Sequence, residues 1–476
     1  MFETGLWTSL LMMAYVIVVV LVSLAVLTDN RQPAKTVAWL LVLIMVPVAG
    51  VVIFIFFGRS TRKEKYISQH SLDMLSRRSM AHFVEQRNLR IPESHTELIR
   101  QFANQNVALP FCDNEVEVYT SGYEFFPSLL EAIHNAQDHI HIITYIFEDD
   151  ALGQMVADAL IDKVREGVAV RLIYDDVGCW KVRNKFFERM EQEGIGVYAF
   201  MPVRFPALTS KVNYRNHRKI CVIDGNVGFI GGMNIASRYV KGKKNQPWRD
   251  THLRIRGRAV YGLQTAFLVD WYFVSRTMLA DLNYFPPVED VADGGGLAQI
   301  VTSDPISQWP ELEQGYVRVL LEARKYVYME TPYFLPTESL IFALRTCALA
   351  GVDVRLLIPR HGDAVLVDWA SRSFLDDVME AGVKIYLYEK GFNHSKLLVS
   401  DDNLCSCGSA NLDFRSFENN FESNAFIYDK ATVAKIKQVF LDDMEHSIIL
   451  DQDKFDHRPF LMRLGESAMR LFSPLL

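Results

Sequence analysis

His217-Arg218-Lys219-Ile220-Cys221-Val222-Ile223-Asp224 and His394-Ser395-Lys396-Leu397-Leu398-Val399-Ser400-Asp401 are one pattern written twice, 177 residues apart. In each copy Lys follows the His at plus two and Asp at plus seven. Small residues stand at plus fourteen and fifteen (Gly231 and Gly232; Gly408 and Ser409), and an Asn at plus seventeen (Asn234; Asn411). One His-x-Lys-x4-Asp match is a weak signal, but two in register with the same trailing residues mark a duplicated unit with a duplicated functional edge. The apolar runs 220–223 and 397–399 end in turn signals, Asp224-Gly225-Asn226 and Asp401-Asp402-Asn403. Each motif therefore reads as a strand entering a hairpin.

On a strand, residues i and i+2 share a face about 7 Å apart, so each His projects beside its Lys. A Lys ammonium is a point-charge partner for phosphate. The Asn amide adds N–H donors, and small residues ahead of it let backbone approach a ligand. Two such edges facing one another suit in-line displacement at phosphorus: one His attacks and the other protonates the leaving oxygen.

The repeat continues around the motifs. In the first half, Val116–Thr120, His139–Ile146 and Val168–Tyr174 read as strands, with helices over Phe125–Ala136 and Ala151–Glu166. In the second half, Gln299–Thr302, Val327–Glu330 and Val352–Ile358 alternate with a helix ending near Ala323 and another over Glu338–Ala350. The expected fold is α/β: two homologous lobes with mixed sheets, related by a pseudo-twofold axis that brings His217 opposite His394. The turn-rich stretch Pro286–Gly296 is the natural boundary. The expected order is a membrane domain (1–58), a charged connector (59–111), a first lobe (112–290), a second lobe (297–450) and an amphipathic C-terminal segment (451–476).

Leu6–Leu27 is an uncharged run of 22 residues, about 33 Å as a helix and enough to cross a bilayer core. A cleaved signal peptide would need a basic start and a shorter apolar stretch, whereas Glu3 precedes this one. A second uncharged run covers Val37–Phe57. Two spanning helices are thus expected, at 6–27 and 37–57. Arg59, Arg62, Lys63 and Lys65 follow the second run, against Arg31 and Lys35 between the two. The heavier positive flank places the catalytic body in the cytoplasm.

Lys plus Arg total 50 and Asp plus Glu 57, a formal charge of −7, which argues against a nucleic-acid partner. Cys112, Cys179, Cys221, Cys347, Cys405 and Cys407 form no zinc-type spacing. No metal or other cofactor is expected, since Lys219 and Lys396 supply the positive charge a metal would bring.

The paired motifs resemble those of the phospholipase D superfamily, and from Met1 to Leu476 the chain resembles the bacterial cardiolipin synthases within it. The resemblance implies one active site between two lobes, a phosphohistidine intermediate, no metal, and a place in the bacterial inner membrane. The implied reaction is phosphatidyl transfer between two phosphatidylglycerol molecules, giving cardiolipin and glycerol. Hydrolysis of phospholipids by the same motifs, a phosphatidylethanolamine donor, or a membrane-tethered nuclease are the alternatives. Oligomeric state is not legible.

The catalytic set is then His217, Lys219, Asp224, His394, Lys396 and Asp401, with Lys219, Lys396, Asn234 and Asn411 on the phosphate. Asp224 and Asp401 belong to the signature, but at hairpin turns their side chains are expected to fix turn and strand. Asp250 and Glu422 stand where the family carries an acid that holds a catalytic imidazole; Asp175 and Asp176 compete with Asp250 for that role. His134, His139, His141 and His252 read as structural, and His361 is a weaker candidate for the site. Arg204, Lys211, Arg215, Arg218 and Lys219, interleaved with Phe205, Pro206 and Leu208, have the makings of an anionic-lipid entrance. Phe460, Leu461, Leu464, Ala468, Leu471 and Leu475 fall near helical spacing and read as an interfacial helix.

Overall fold

The computed structural model describes residues 2–29, 33–46, 48–54, 83–84, 86, 89–106, 108–203, 213–243, 246–279, 281–288 and 295–473. The chain divides into two compact units, Met1–Lys65 with Val203–Tyr214, and Tyr66–Pro202 with Arg215–Leu476.

In the first unit the opening apolar run is one helix, Phe2–Asp29. The second run differs from the expected single span: Pro33–Met45 and Ala49–Ile53 are separate helices, and Val48 between them has φ 63°. Pro47 explains the break, because proline has no N–H to donate and disfavours helix in the residue before it. Val26, Leu43 and Phe54 bury one another between these helices. Among the described residues no helix is long and apolar enough to cross a membrane. The flanking cations Arg31, Arg59, Arg62, Lys63 and Lys65 lie outside the described residues.

The second unit is organised by one sheet of 15 strands. At its centre Phe111–Tyr119 pairs antiparallel with Gly296–Ser303. Outward on the first lobe follow His252–Gly257, Val227–Gly231, Ile220–Ile223, His139–Thr144, Ala169–Asp175 and Gly196–Phe200. Outward on the second follow Glu422–Ile427, Leu404–Gly408, Leu397–Ser400, Tyr326–Glu330, Asp353–Pro359 and Lys384–Tyr388, with Ser447–Ile449 added at the rim. The two halves thus repeat one strand order from the centre outward. In each, the outer three shared strands are parallel and the hairpin strands antiparallel.

The local causes repeat as well. Asp150 caps the helix Ala151–Arg165 by accepting from the Leu152 and Gly153 amides, and Thr337 caps Glu338–Leu349 through the Leu340 amide. Gly167 (φ 96°) and Gly351 (φ 88°) then end these helices in the left-handed region and turn the chain into the next parallel strand. Asp224 and Asp401, both at φ 50°, perform the same task on opposite lobes. Asp224 accepts from the Gln137, Asp138 and His139 amides at 2.9, 2.8 and 3.0 Å; Asp401 accepts from Arg324, Lys325 and Tyr326 at 2.7, 2.8 and 2.9 Å. Each ties the motif hairpin to the start of the neighbouring strand.

One stretch departs from the sequence reading. The helix Thr96–Asn106, inside the expected connector, buries Leu98, Ile99 and Phe102 in the core of the second lobe. Gly315 makes the space, since a Cβ there would stand 2.4 Å from the Phe102 ring.

Candidate active site

Each motif strand is preceded by a segment that crosses to the other lobe. His217 donates its amide to the Phe421 carbonyl at 2.9 Å, and the Phe421 amide donates to Arg215 at 2.9 Å. Phe392–Asn393 pairs in parallel with Trp248–Arg249, and the His394 amide donates to the Arg249 carbonyl at 2.7 Å. The residue after each crossing strand is an acid. Asp250 of the first lobe therefore meets His394 of the second (Oδ2 to Nδ1, 2.7 Å), and Glu422 of the second meets His217 of the first (Oε1 to Nδ1, 3.2 Å). The acids hold imidazoles, but each holds the other lobe's.

The small residues at plus fifteen, expected to admit a ligand, accommodate these acids instead. A Cβ on Gly232 would lie 2.0 Å from Asp250 Oδ1. Its counterpart Ser409 donates its hydroxyl to Glu422 Oε2 at 2.5 Å. Both carboxylates are fully enclosed, while the His217 and His394 side chains keep 20% and 14% of their surface exposed, an open edge for a reactant.

Asp250 and the Lys396 ammonium (2.9 Å) both reach His394 Nδ1. A carboxylate and an ammonium cannot both be satisfied by one nitrogen. The shorter contact to the anion assigns Nδ1–H to Asp250, and Lys396 then donates to the His394 carbonyl. Nε2 is left with a lone pair. Lys219 repeats this by donating to the His217 carbonyl at 2.5 Å.

Burial, then Lys396, holds His394 down to about 4 despite Asp250. Burial brings Lys219 down to about 8, against the pull of Glu422 and with Lys396 adding to the depression. Lys396 is lowered too, by burial outweighing Asp250 and Glu422. For Asp250 burial acts to raise the carboxyl, but Lys396 and His394 together outweigh it and the group lies below its usual value. Two cations and two carboxylates thus converge on two imidazoles, and a monoanionic phosphodiester placed between the lysines would relieve the depression of both.

Asn234 accepts from the Ile146 amide at 3.0 Å and donates to the Tyr239 hydroxyl at 2.6 Å; Asn411 donates to Asp413 at 3.0 Å. Each amide keeps one further N–H. Two residues missed by the sequence reading are Asn216 and Asn393, each directly before a motif His. Asn216 donates to Asp270 at 2.8 Å and accepts from the Arg218 amide; Asn393 donates to Glu330 at 3.2 Å and accepts from the Ser395 amide. Their signal was present, an Asn at minus one in both copies.

The basic entrance needs correcting at two positions. Arg215 is buried against Asp175 at 3.3 Å, and Arg218 against Asp270 at 2.6 Å. Both are interior ion pairs, which satisfy buried carboxylates and leave no cation for a lipid head group. Arg204, Phe205, Pro206, Leu208 and Lys211 lie outside the described residues. Asp175 binds the Asn216 amide at 2.9 Å and so shapes the entry to the first motif, with Asp250 left to hold the imidazole. His252 stacks on Phe125, and His139 and His141 pack on Gln264 and Tyr284. His134 offers its carbonyl to Lys163. His361 is exposed, with Asp368 as its charged neighbour. All six cysteines are buried and free. Among the described residues no group of His, Cys, Asp and Glu has the arrangement of a metal site.

Comparison with known proteins gives the chain's relatives. A family model described as "Cardiolipin synthase, PLD-like domain" matches residues 129–253 and again 316–444, and one described as "Phospholipase_D-nuclease N-terminal" matches 13–59. A cardiolipin synthase of Geobacillus kaustophilus is 40% identical over 96% of this chain and 92% of its own length. One from Listeria monocytogenes is 39% identical over 99% of this chain and 100% of its own. The crystal structure of a phosphatidylserine synthase of Haemophilus influenzae shares the fold, with a TM-score of 0.60 at 16% identity over 80% of this chain and 100% of that one.

Proposed function

The chain belongs to the cardiolipin synthase family of phospholipase D-like proteins, and we propose that its two crossed His–carboxylate pairs form a single phosphatidyl-transfer site. The protein is a membrane-associated phosphatidyltransferase acting on phospholipid. The observation that supports one site is the exchange of acids: neither motif has its imidazole held without the other lobe.

In the proposed reaction, neutral His217 Nε2 attacks the phosphorus of a first phosphatidylglycerol. The bond from phosphorus to the glycerol oxygen breaks, and His394 as imidazolium gives that oxygen its proton. Neutral His394 then takes the proton from the terminal hydroxyl of a second phosphatidylglycerol, whose oxygen attacks the phosphatidyl-His217. The phosphorus–nitrogen bond breaks and cardiolipin leaves. Asp250 and Glu422 hold Nδ1–H of their imidazoles and stabilise the charged form. Lys219, Lys396, Asn234 and Asn411 direct donors at the equatorial oxygens, where charge builds. The runs 6–27 and 37–57 anchor the chain in the inner membrane, with the catalytic body cytoplasmic.

Labelled phosphatidylglycerol incubated with the purified protein should give cardiolipin and glycerol. Phosphatidic acid as main product would make the protein a hydrolase, and cardiolipin formed only with added phosphatidylethanolamine would change the donor. The same incubation in excess EDTA should keep its transfer rate; complete loss restored by one divalent ion would overturn the site as drawn.

A pH profile tests the lysines. The free-enzyme groups set kcat/KM. Activity needs Lys219 charged, so kcat/KM should fall above about pH 8, where it loses its proton. Lys219→Arg should move the alkaline limb up, because guanidinium keeps its charge. A limb left in place would assign it to another group.

A further inference from the structure

The helix Phe460–Arg470 packs on the helix Val365–Met379 with its own polarity reversed. A surface helix normally turns acids and bases outward and apolar residues in. In the 460–470 helix Glu466 is buried and pairs with Arg458 at 2.7 Å, and Arg470 reaches back to Asp377 at 2.6 Å. Arg458 also holds Asp376 at 2.9 Å. Gly465 brings the two helices close, since a Cβ there would lie 3.1 Å from the Trp369 ring. Polar clamps therefore help fasten this helix, and three of its apolar side chains face out: Phe460 is 75% exposed, Leu461 78% and Leu464 54%. Val365 (70%), Leu366 (54%) and Trp369 (41%) extend the exposed apolar surface onto the partner helix.

Two observations say what covers it. With Glu466 turned inward and Arg470 held by Asp377, the one charge this helix leaves exposed among its apolar residues is the cation Arg463. That complements an anionic lipid surface. The patch also leads to the catalytic edge: Tyr333, whose ring centroid is 6.3 Å from that of His394, donates its hydroxyl to Asp363 at 2.9 Å, two residues before the 365–379 helix begins. We propose that this two-helix face seats in the headgroup region of an anionic bilayer and sets the His394 side of the site at the membrane surface. The proposal rests on the site's reaction with lipids, since a water-soluble substrate would give no reason to bring that side to a bilayer.

The native cysteines are all buried, so a single exposed thiol can be labelled. Full-length protein carrying Leu464→Cys with an environment-sensitive fluorophore is reconstituted into phosphatidylglycerol vesicles, with Gln438→Cys as the polar-surface control. The expected result is a blue shift and quenching by brominated acyl chains at 464 and neither at 438. A blue shift without bromolipid quenching, growing with the protein-to-lipid ratio, would show a second copy on the face and overturn the proposal; so would no shift at all. Leu461→Ser with Leu464→Ser, both exposed and so harmless to folding, should lower turnover of vesicle lipid several-fold and spare a short-chain monomeric substrate. Equal rates on both substrates would likewise count against seating. The fluorescence reads seating whatever the site does, so failure of the transfer reaction itself shows separately as absent cardiolipin in the unsubstituted protein.

Discussion

His217→Ala and His394→Ala should each lower phosphatidyl transfer by on the order of 10³-fold or more, the scale expected when a nucleophile or a positioned general acid is removed. The double variant should be little worse than either single one, because groups acting in one mechanism are not additive. The structure supplies the reason for expecting unity: Asp250 and Glu422 are enclosed acids that each serve the opposite lobe's imidazole. Removing an imidazole leaves such an acid short of a partner, so stability must be followed too. His217→Gln and His394→Gln keep a donor near the acid and serve as the folding controls. Loss of about half the rate in each variant, with none left in the double, would mean two independent sites and would defeat the single-site reading.

Much of this was legible because the duplication printed it twice. The strand positions, the helix Ala151–Arg165 with its counterpart Glu338–Leu349, and the motif hairpins all follow from local pattern: apolar runs closed by Asp-Gly-Asn or Asp-Asp-Asn, and a cap before each helix. The structural use of Asp224 and Asp401 was legible for the same reason, since an Asp at a hairpin turn finds backbone amides nearby. The exchange of acids was not. It depends on parallel pairing of 392–393 with 248–249 and of 216 with 421, contacts between segments far apart in the chain with no periodicity to announce them. Arg215 and Arg218 misled for a related reason. A basic stretch in sequence says nothing of buried partners, and Asp175 and Asp270 lie 40 and 52 residues away. The spacing of the 460–470 segment reads as an amphipathic helix, but that Glu466 faces inward depends on the positions of Arg458 and Asp377, which no spacing announces.

The imidazole that bonds to phosphorus should be His217. Both rings present Nε2 with Nδ1–H held by an acid, so tautomer does not separate them. Their acids do. His394 has the closer partner, Asp250 at 2.7 Å, whereas Glu422 stands 3.2 Å from His217 and also receives Ser409 and Asn420. A nearer, less shared carboxylate stabilises imidazolium better, which favours His394 as the acid once a phosphodiester has offset the lysines that, after burial, hold it down. A donor whose leaving group departs as a stable anion needs no such acid. With a p-nitrophenyl phosphodiester, His394→Ala should therefore still release a burst of nitrophenolate and accumulate a covalent phosphoryl adduct, because the second step lacks its base. His217→Ala should give neither burst nor adduct. Acid-quenched peptide mapping should find the phosphoryl group on His217 in the His394→Ala protein. An adduct on His394 in the His217→Ala protein would exchange the two roles, and an adduct in neither would remove the covalent intermediate from the mechanism.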